Sequence, residues 1–298
     1  MDNKFNFSSK FRVANIFSLI LIVTSVLFIF FKGLNYGIDF KGGTLIELRA
    51  SSTGASEIRT ALNKMDLGDV NVKNFGQEGD YLIKVEQKEN DGNKIIPQIK
   101  ENLSENLKTE INFRRVENVG PKVSSELLQS GIIAISLSLA AMLFYIWIRF
   151  EWQFSIGSII ALFHDVVITL GIFSILSLEI NLSIIAAVLT IVGYSMNDTV
   201  VIYDRIRENL NKFNRLNIKE IADLSINDTL ARTIITSVTT LLALLSIFIL
   251  GGEILKGFSF AMILGVIIGT YSSIFVASPV LNYFKVTQKT LLKEDNIN

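Results

Sequence analysis

The chain has 298 residues, half of them hydrophobic, with a mean hydropathy of +0.44 and 28 basic against 28 acidic residues. This composition is too apolar for a typical soluble globule and favours a membrane protein, while the zero net charge provides no basic field for nucleic acid. The absence of cysteine excludes disulfides and thiolate sites, and the single histidine, His164, excludes a multi-histidine metal site within the chain.

The first predicted element is an apolar run of 19 residues, 13–31, which follows a short polar segment, 1–12. At about 1.5 Å per residue, such a helix spans a hydrocarbon core of roughly 30 Å. A secretory signal peptide is the rival interpretation, but no Ala-x-Ala-like cleavage site follows the run. We therefore interpret residues 13–31 as an uncleaved membrane anchor.

Residues 32–130 differ in composition, with 14 basic and 15 acidic residues and short alternating runs that are typical of strands. The order of predicted elements is β-α-β-β-α-β, the split βαβ arrangement of ferredoxin-like domains. We therefore predict an α+β ferredoxin-like domain inserted between the first two spans. The predicted elements are strands Thr44–Arg49, Val70–Phe75, Tyr81–Glu86 and Ile111–Val116 and helices Ser56–Met65 and Lys94–Leu107.

Five further apolar runs predict five more membrane helices, which makes the fold class a membrane α-helical bundle of six transmembrane helices around that insertion. The connections between them are short, except for the charged segment 204–232, which is predicted to be a loop. The five runs are 131–148, 155–178, 182–203, 233–250 and 258–281.

The distribution of lysine and arginine predicts the orientation of the bundle. Thirteen of these residues lie in segments on the same side as the N-terminus, whereas the short loops on the other side hold only Lys256. Because cytoplasmic loops carry the excess of basic residues, both termini, including the tail 282–298, are predicted to be cytoplasmic. Residues 32–130 are then predicted to lie on the opposite side of the membrane, outside the cytoplasm.

The sixth span contains a pattern that predicts close helix packing. Gly265 and Gly269 form a G-x-x-x-G pair, and Ser272 and Ser273 follow one turn later. Small residues at this spacing let two membrane helices approach closely, and we interpret the pattern as packing only.

Three of the spans carry polar groups that lipid alone would not accommodate. Asp198 lies in the fourth span, about 8 Å from its cytoplasmic end by helical rise, and His164 and Asp165 lie near the middle of the third. We expect these polar faces to meet one another, because lipid offers no hydrogen-bond partner. The fifth span adds a polar stripe of Thr229, Arg232, Thr233, Thr236, Ser237 and Thr240.

Asp198 is the leading candidate for function, because a carboxylate at that depth is costly. Desolvation favours the protonated form of a carboxylic acid and a guanidinium such as that of Arg232 favours the ionised form. A group held between these influences can load and unload a proton as water access changes. The alternative for Asp198 and Arg232 is a static ion pair that fixes helix register. His164 and the hydroxyl groups are also compatible with a role in helix packing alone.

No catalytic constellation is present in the sequence. There is no Ser/His/Asp set and no Rossmann glycine pattern, and Gly42-Gly43-Thr44 lacks the lysine and the spacing of a P-loop. We predict that the chain is not an enzyme and binds no cofactor. Without an ATP site, any work must be driven by an ion gradient.

Several motifs along the chain point together to one family. On these residues the chain resembles the SecF family, which belongs with SecD to the RND transporter superfamily and to bacterial protein export. The motifs are Gly37-Ile-Asp-Phe-Lys-Gly-Gly-Thr44, Val119-Gly-Pro-Lys-Val123, Phe163-His-Asp-Val166, Val192-Gly-Tyr-Ser-Met-Asn-Asp-Thr-Val-Val201, Tyr203-Asp-Arg-Ile-Arg-Glu-Asn209, Asn227-Asp-Thr-Leu-Ala-Arg-Thr233 and Thr236-Ser237.

The resemblance implies a role and a set of partners. It implies an RND-type half that joins the six spans of SecD in the inner membrane and uses the proton-motive force to promote export of preproteins through SecYEG, with YajC and YidC as further partners. Residues 32–130 then correspond to the family's periplasmic domain. Asp198 matches the family's proton-path aspartate and Arg232 its partner arginine, and Asp165 is carried over as a third member of the path.

Two alternatives to a proton-driven export subunit remain open at this stage. An RND-type exporter of a small molecule or lipid is disfavoured by the single outer domain, which is small for an enclosed drug pocket. A passive scaffold has no need of a buried carboxylate, so Asp198→Asn would be silent in it. The glycines of Gly37–Thr44 and the turn at Val119–Val123 suit domain-to-membrane coupling and simple structural turns equally well.

Overall fold

A computed structural model describes residues 5–50, 53–65, 67–68, 70–74, 76–85, 92–107, 109–213, 215–288 and 290. Several predicted features lie outside the described residues. They are the strand ends Phe75 and Glu86, the first four residues, and most of the predicted tail beyond 288. Three residues of the basic-residue count, Lys4, Lys289 and Lys293, also lie outside. The described residues divide into two compact units.

The first unit is helical and comprises the described residues of Met1–Leu34, Ile135–Leu178 and Ser183–Asn298. Among the described residues, six helices are long and apolar enough to cross a membrane, as the prediction of six transmembrane helices requires. The helices that run through this unit are α1 (Phe11–Phe31), α5 (Pro121–Arg149), α6 (Trp152–Ile175), α7 (Leu182–Lys212), α8 (Ile218–Leu250), α9 (Gly252–Ser272) and, after a π-helical segment at Ser273–Ala277, α10 (Ser278–Tyr283).

Several helices extend beyond the apolar runs that predicted them. Most of segment 204–232 is helical, because α7 continues to Lys212 and α8 already begins at Ile218. The start of α8 is fixed by a capping box in which the Asn217 side chain accepts from the backbone of Glu220 and the Glu220 side chain binds the Asn217 backbone. Hydropathy detects only the apolar part of such a helix, so its charged extension was predicted as loop.

The glycine pair of the sixth span packs α9 directly against α7. A methyl group added at Gly265 would overlap the Ile191 side chain, and one added at Gly269 would lie 3.0 Å from the Cβ of Ser195. The prediction of close packing at this pair is confirmed, and the contact fixes α9 beside the polar part of α7.

The second unit comprises Asn35–Ala134 and Glu179–Leu182 and is built on a four-stranded antiparallel sheet with the strand order β3-β4-β2-β5. Along residues 43–119 its elements follow the order β-α-β-β-α-β. In chain order the elements are β1 (Asn35–Tyr36), α2 (Ile38–Lys41), β2 (Gly43–Ala50), α3 (Ala55–Asn63), β3 (Val70–Asn74), β4 (Asp80–Val85), α4 (Gly92–Asn106), β5 (Ile111–Val119) and β6 (Glu179–Ile180).

The core of this α+β unit lies between one face of the sheet and the two helices. The central strand β2 is almost continuously buried, as expected for a strand with neighbours on both edges. The amphipathic helices α3 and α4 cover the sheet with their apolar faces. Fully buried members of this core include Ile46, Leu48, Ile58, Leu62, Ile83, Ile99 and Leu103.

The glycine motif at residues 37–44 forms a tight connection inside the α+β unit. Gly42 and Gly43 have φ angles of 80° and 134°, a region that disfavours residues with a side chain. Gly43 pairs with Val119, and a Cβ at Gly42 would lie 3.3 Å from the Val119 carbonyl oxygen. The two glycine-containing motifs therefore contact each other, and Gly42 and Gly43 are required by backbone geometry.

Candidate functional site

Asp198 lies in the middle of the α7 helix and is 3% exposed. Its Oδ2 accepts a long hydrogen bond of 3.4 Å from the Thr270 hydroxyl of α9. The Thr270 hydroxyl in turn lies 2.8 Å from that of Ser237 on α8. The carboxylate predicted from the apolar run is therefore buried where three helices meet, with a neutral hydroxyl as its hydrogen-bond partner.

Arg232 lies on the exposed face of α8. The described ion pairs do not join its guanidinium to the Asp198 carboxylate. The described residues therefore do not form the static ion pair between Asp198 and Arg232 that is the alternative interpretation.

The expectation that the polar faces must satisfy one another is only partly correct. Ser237 meets Thr270 on α9, and the Tyr194 hydroxyl of α7 donates to Thr240. The hydroxyls of Thr229, Thr236 and Thr240 instead donate to carbonyl oxygens of their own helix, one turn earlier. Threonine satisfies its hydroxyl in this way without any partner helix, so a polar stripe does not by itself predict an interface.

Asp165 forms a second buried cluster together with His164, both of them 0% exposed. The two oxygens of the Asp165 carboxylate are held differently. Oδ1 lies 2.8 Å from Nδ1 of His164, while Oδ2 accepts from the Ser195 hydroxyl at 2.5 Å and from the Ser272 hydroxyl at 2.8 Å. The third predicted site residue is thus bound by α7 and α9 as well as by its own helix.

Helix α9 contributes to both carboxylate sites. Thr270 contacts Asp198, and two residues later Ser272 contacts Asp165. Directly after Ser272 the helix widens into the π-helical segment, where the Ala277 carbonyl accepts from the buried Tyr203 hydroxyl at 2.9 Å. Because π-helical turns are uncommon and often mark functional positions, this part of the sixth span belongs to the candidate site.

The far end of α7, beyond its apolar run, is bound by ion pairs and takes no part in the buried site. The motif that follows Tyr203 supplies these contacts, so its charges have a structural role in joining helix ends. The pairs are Arg149 with Asp204 at 3.1 Å, Arg207 with Glu151 at 2.9 Å, and Arg205 with Asp228 at 2.8 Å.

Three residues of the site were not predicted as functional. Ser195 lies inside one of the sequence motifs, Ser272 is interpreted as a packing residue, and Thr270 has no predicted role. The available signal was the polar run Thr270–Ser273 within an otherwise apolar span. Within the described residues, no group of three or more histidine, aspartate or glutamate side chains comes together as a metal site would require.

Comparison with known families matches most of the chain. Residues 99–287 match the family model for "Protein export membrane protein SecD/SecF, C-terminal", and residues 27–53 match the "SecD/SecF GG Motif". A protein of Rickettsia bellii named "Protein translocase subunit SecF" is 47% identical over 282 residues, which cover 94% of this chain and 93% of the relative. A protein of the same name from Vibrio alginolyticus is 45% identical over 273 residues, which cover 90% and 85% of the two chains.

Two solved structures resemble the whole chain. One is described as SecDF, a translocon-associated membrane protein, from Thermus thermophilus. It is 36% identical with a TM-score of 0.85, and the match covers 95% of this chain and 39% of that one. A SecDF structure in a super-membrane-facing form is 34% identical with a TM-score of 0.71, covering 100% and 41% of the two chains.

Proposed function

This chain belongs to the SecD/SecF family of protein-export membrane proteins, and from this premise we propose that it couples export to the proton gradient through Asp198. It is a multi-pass membrane protein and a subunit of the Sec protein-export system, as its motifs predicted. The alternative of a small-molecule or lipid exporter is not favoured, because relatives that match nearly the full length carry the name of a translocase subunit.

The observation that carries the proposal is the environment of Asp198. A carboxylate that is 3% exposed in an apolar helix, with only a neutral hydroxyl as hydrogen-bond partner, is costly to keep ionised and is not locked in that form. Arg232 lies on the exposed face of α8 and forms none of the described ion pairs with Asp198, so it does not fix the carboxylate in its ionised form. Asp198 would bind a proton when its surroundings close and release it when water reaches it.

Asp165 is proposed as a second member of the proton path. It is buried in the same bundle and shares α7 and α9 with Asp198. A movement of α9 against α7 would therefore change the surroundings of both carboxylates together, which is how proton binding would be converted into helix movement.

The proposed partners follow from the family and from the size of the chain. The solved relatives are SecDF chains of which this chain covers 39% and 41%, which supports a SecD subunit as the complement that completes the unit. The Thermus protein is described as translocon-associated, and we extend this description to contact with SecYEG and the translocating preprotein, with YajC and YidC as further partners.

The α+β unit is proposed to be a ferredoxin-like domain on the periplasmic side of the inner membrane, with both termini in the cytoplasm. Its element order and its antiparallel strand order β3-β4-β2-β5 support the ferredoxin-like assignment. The excess of lysine and arginine in the opposite segments supports the orientation.

A pulse-chase of a secreted protein tests the proposal in cells that lack their own copy of this subunit. Cells complemented with the unchanged chain should clear the precursor, whereas Asp198→Asn should leave the backlog of uncomplemented cells. Asp204→Asn is the matched control, because it makes the same change on the same helix at an exposed carboxylate, whose ion pair with Arg149 lies outside the buried site and contributes little, as exposed pairs do. All variants must be present in the membrane at equal level.

The role of Arg232 is tested in the same assay. Arg232→Lys keeps a positive charge and should retain most of the export, whereas Arg232→Gln should lose it, because the proposed role of Arg232 is to favour the ionised form of Asp198 with its positive charge.

Clearance of the precursor by Asp198→Asn at the normal rate would make Asp198 a packing residue and would favour the passive scaffold.

A further inference from the structure

The ring of His164 is held between a carboxylate and an aromatic ring in the interior of the bundle. Its Nδ1 contacts Asp165 Oδ1 at 2.8 Å, and the ring of Tyr271 stacks on it with centroids 6.1 Å apart. The Tyr271 hydroxyl is engaged elsewhere, donating to the Ala14 carbonyl of α1 at 2.8 Å and lying 3.0 Å from Ser18. Both His164 and Asp165 are fully buried.

Groups that are able to donate surround the Asp165 carboxylate. Two hydroxyl groups and one imidazole nitrogen contact its oxygens. A buried anion needs a compensating charge. Among the described residues that contact the His164–Asp165 pair, α7 presents Ser195 and α9 presents Ser272 and Tyr271, and none of these is cationic. Lys32, just after α1, donates to the Ile175 carbonyl at the end of α6, ten residues beyond Asp165. Asp198, the other ionisable group of α7 within the bundle, faces Thr270 instead.

One polar atom of this cluster has no partner. Nε2 of His164 is buried and has no hydrogen bond to any described residue. Since Nδ1 is directed at the carboxylate, Nε2 is the position at which the ring gains or loses a proton. With a proton on Nε2, the pair is an imidazolium and a carboxylate with no net charge; without it, the pair carries one negative charge.

We propose that His164 is a proton-binding residue of this chain, with Nε2 as the atom that takes up and releases the proton and Asp165 as its counter-charge. The proton adds to the lone pair of Nε2 from water and returns to water, so no other reactant is needed. The assignment rests on the proposed function for its place in a proton path. It extends that function, because the cluster is joined to the Asp198 site through Ser195 on α7 and through the Thr270–Ser272 turn of α9.

The single histidine of the chain allows a direct test. The full chain is labelled with ¹⁵N-histidine, carries a purification tag without histidine, and is reconstituted in liposomes with its unlabelled SecD partner. Solid-state NMR then reports each imidazole nitrogen separately between about pH 5 and pH 9, on either side of the usual histidine range. We expect Nδ1 to stay protonated and Nε2 to change from protonated to unprotonated.

Asp165→Asn removes the counter-charge and should lower the protonated fraction of Nε2 by at least about tenfold. Asp204→Asn, which changes an exposed carboxylate, should leave the signal unchanged. A single state of Nε2 over the whole pH range would overturn the proposal, and so would an Nε2 signal that is indifferent to Asp165→Asn.

A second variant separates proton binding from positioning. His164→Asn keeps an N–H near the place of Nδ1, so it can still donate to Asp165, but it has no Nε2. We expect gradient-driven export to fall at least about fivefold, and an unchanged gradient response would overturn the proposal.

The outcomes remain separable from those of the proposed function. A loss in Asp198→Asn combined with a silent Nε2 rejects only the His164 assignment, whereas an Nε2 that titrates while Asp198→Asn is fully active rejects only the role of Asp198.

Discussion

The buried carboxylate Asp80 of the α+β unit and the two buried carboxylates within the spans of the helical unit have opposite kinds of partner. In the α+β unit, Asp80 is 6% exposed and is bound by two guanidinium groups, Arg49 at 2.6 Å and Arg114 at 3.1 Å. In the helical unit, Asp198 and Asp165 are bound by threonine and serine hydroxyls and by one histidine. The hydrogen bond from Arg49 lowers the pKa of Asp80, which stays ionised at every physiological pH.

The difference indicates which carboxylates have a role beyond structure. A carboxylate paired with arginine is fixed in one charge state, and its contribution is to hold strands β2, β4 and β5 together. Asp198, which is bound only by a neutral hydroxyl, has no partner that forbids protonation. Its charge state therefore depends on water access and on the position of neighbouring helices, which is the property that a proton carrier requires.

The largest effect after Asp198 itself is expected at Thr270, the hydroxyl that binds it. Thr270→Val removes the hydroxyl at constant shape and should reduce gradient-driven export by up to about fivefold, since a hydrogen bond of normal length contributes roughly 1 kcal/mol and this one is long. The measurement is export into inverted membrane vesicles across a range of pH. Thr270→Ser should retain activity, and Thr239→Val, which removes an exposed hydroxyl bonded to its own helix, serves as the control.

Equal losses in Thr270→Val and Thr239→Val would show that hydroxyls of the bundle act only in general packing. The contrast between the two kinds of carboxylate would then lose its functional meaning for Asp198.

A stability difference is expected at the glycines of α7 and α9. Gly265→Ala places a methyl group inside the Ile191 side chain and should destabilise the bundle by roughly 1–3 kcal/mol, the usual cost of overpacking. Gly193→Ala meets no atom within 4 Å and should stabilise α7 slightly, because alanine favours a helix over glycine. Thermal unfolding of the purified full chain in detergent compares the two, and equal melting temperatures would mean that α9 is not held by this contact.

The smallest effect is expected from Asp80→Asn in the α+β unit. Because the folded pKa of Asp80 lies below its unfolded value of about 3.9, the pairing stabilises the sheet above that pH and is lost as pH falls through the folded pKa. Protection of the β2 and β4 amides against hydrogen exchange in the full chain, corrected for intrinsic rates, should decline at acid pH in the unchanged protein and less so in Asp80→Asn. Export should be unaffected at neutral pH, and a loss of export as large as that of Asp198→Asn would contradict the contrast between the units.

Much of the architecture followed from periodicity and hydropathy. Six apolar runs located six helices, and alternating runs located the strands from Gly43 to Val119, because burial imposes these patterns directly. The short elements β1, α2 and β6 were not predicted, since two to four residues carry no period. The helical extensions 204–212 and 218–232 were missed because water-exposed helix lacks an apolar run.

The site was predictable to the extent that charge in lipid is costly. Asp198 and Asp165 stand out because an ionisable residue in an apolar run has few explanations. Thr270, Ser195 and Ser272 do not, because hydroxyl residues are common in membrane helices and usually bond to their own backbone. The helix packing set by Gly265 and Gly269 decides which hydroxyl points toward a carboxylate instead. This packing is a contact between distant parts of the chain, so local sequence patterns do not predict it.

The most direct test measures the response of export to the gradient itself. Inverted vesicles are prepared from cells lacking their own copy, with the unchanged chain, Asp198→Asn or Asp204→Asn at equal level. Protease protection of a preprotein is measured at constant ATP, with the proton gradient intact or abolished by a protonophore. The unchanged chain and Asp204→Asn should add a gradient-dependent component to export that Asp198→Asn lacks. An equal gradient-dependent component in Asp198→Asn would contradict the proton-carrying role of this residue.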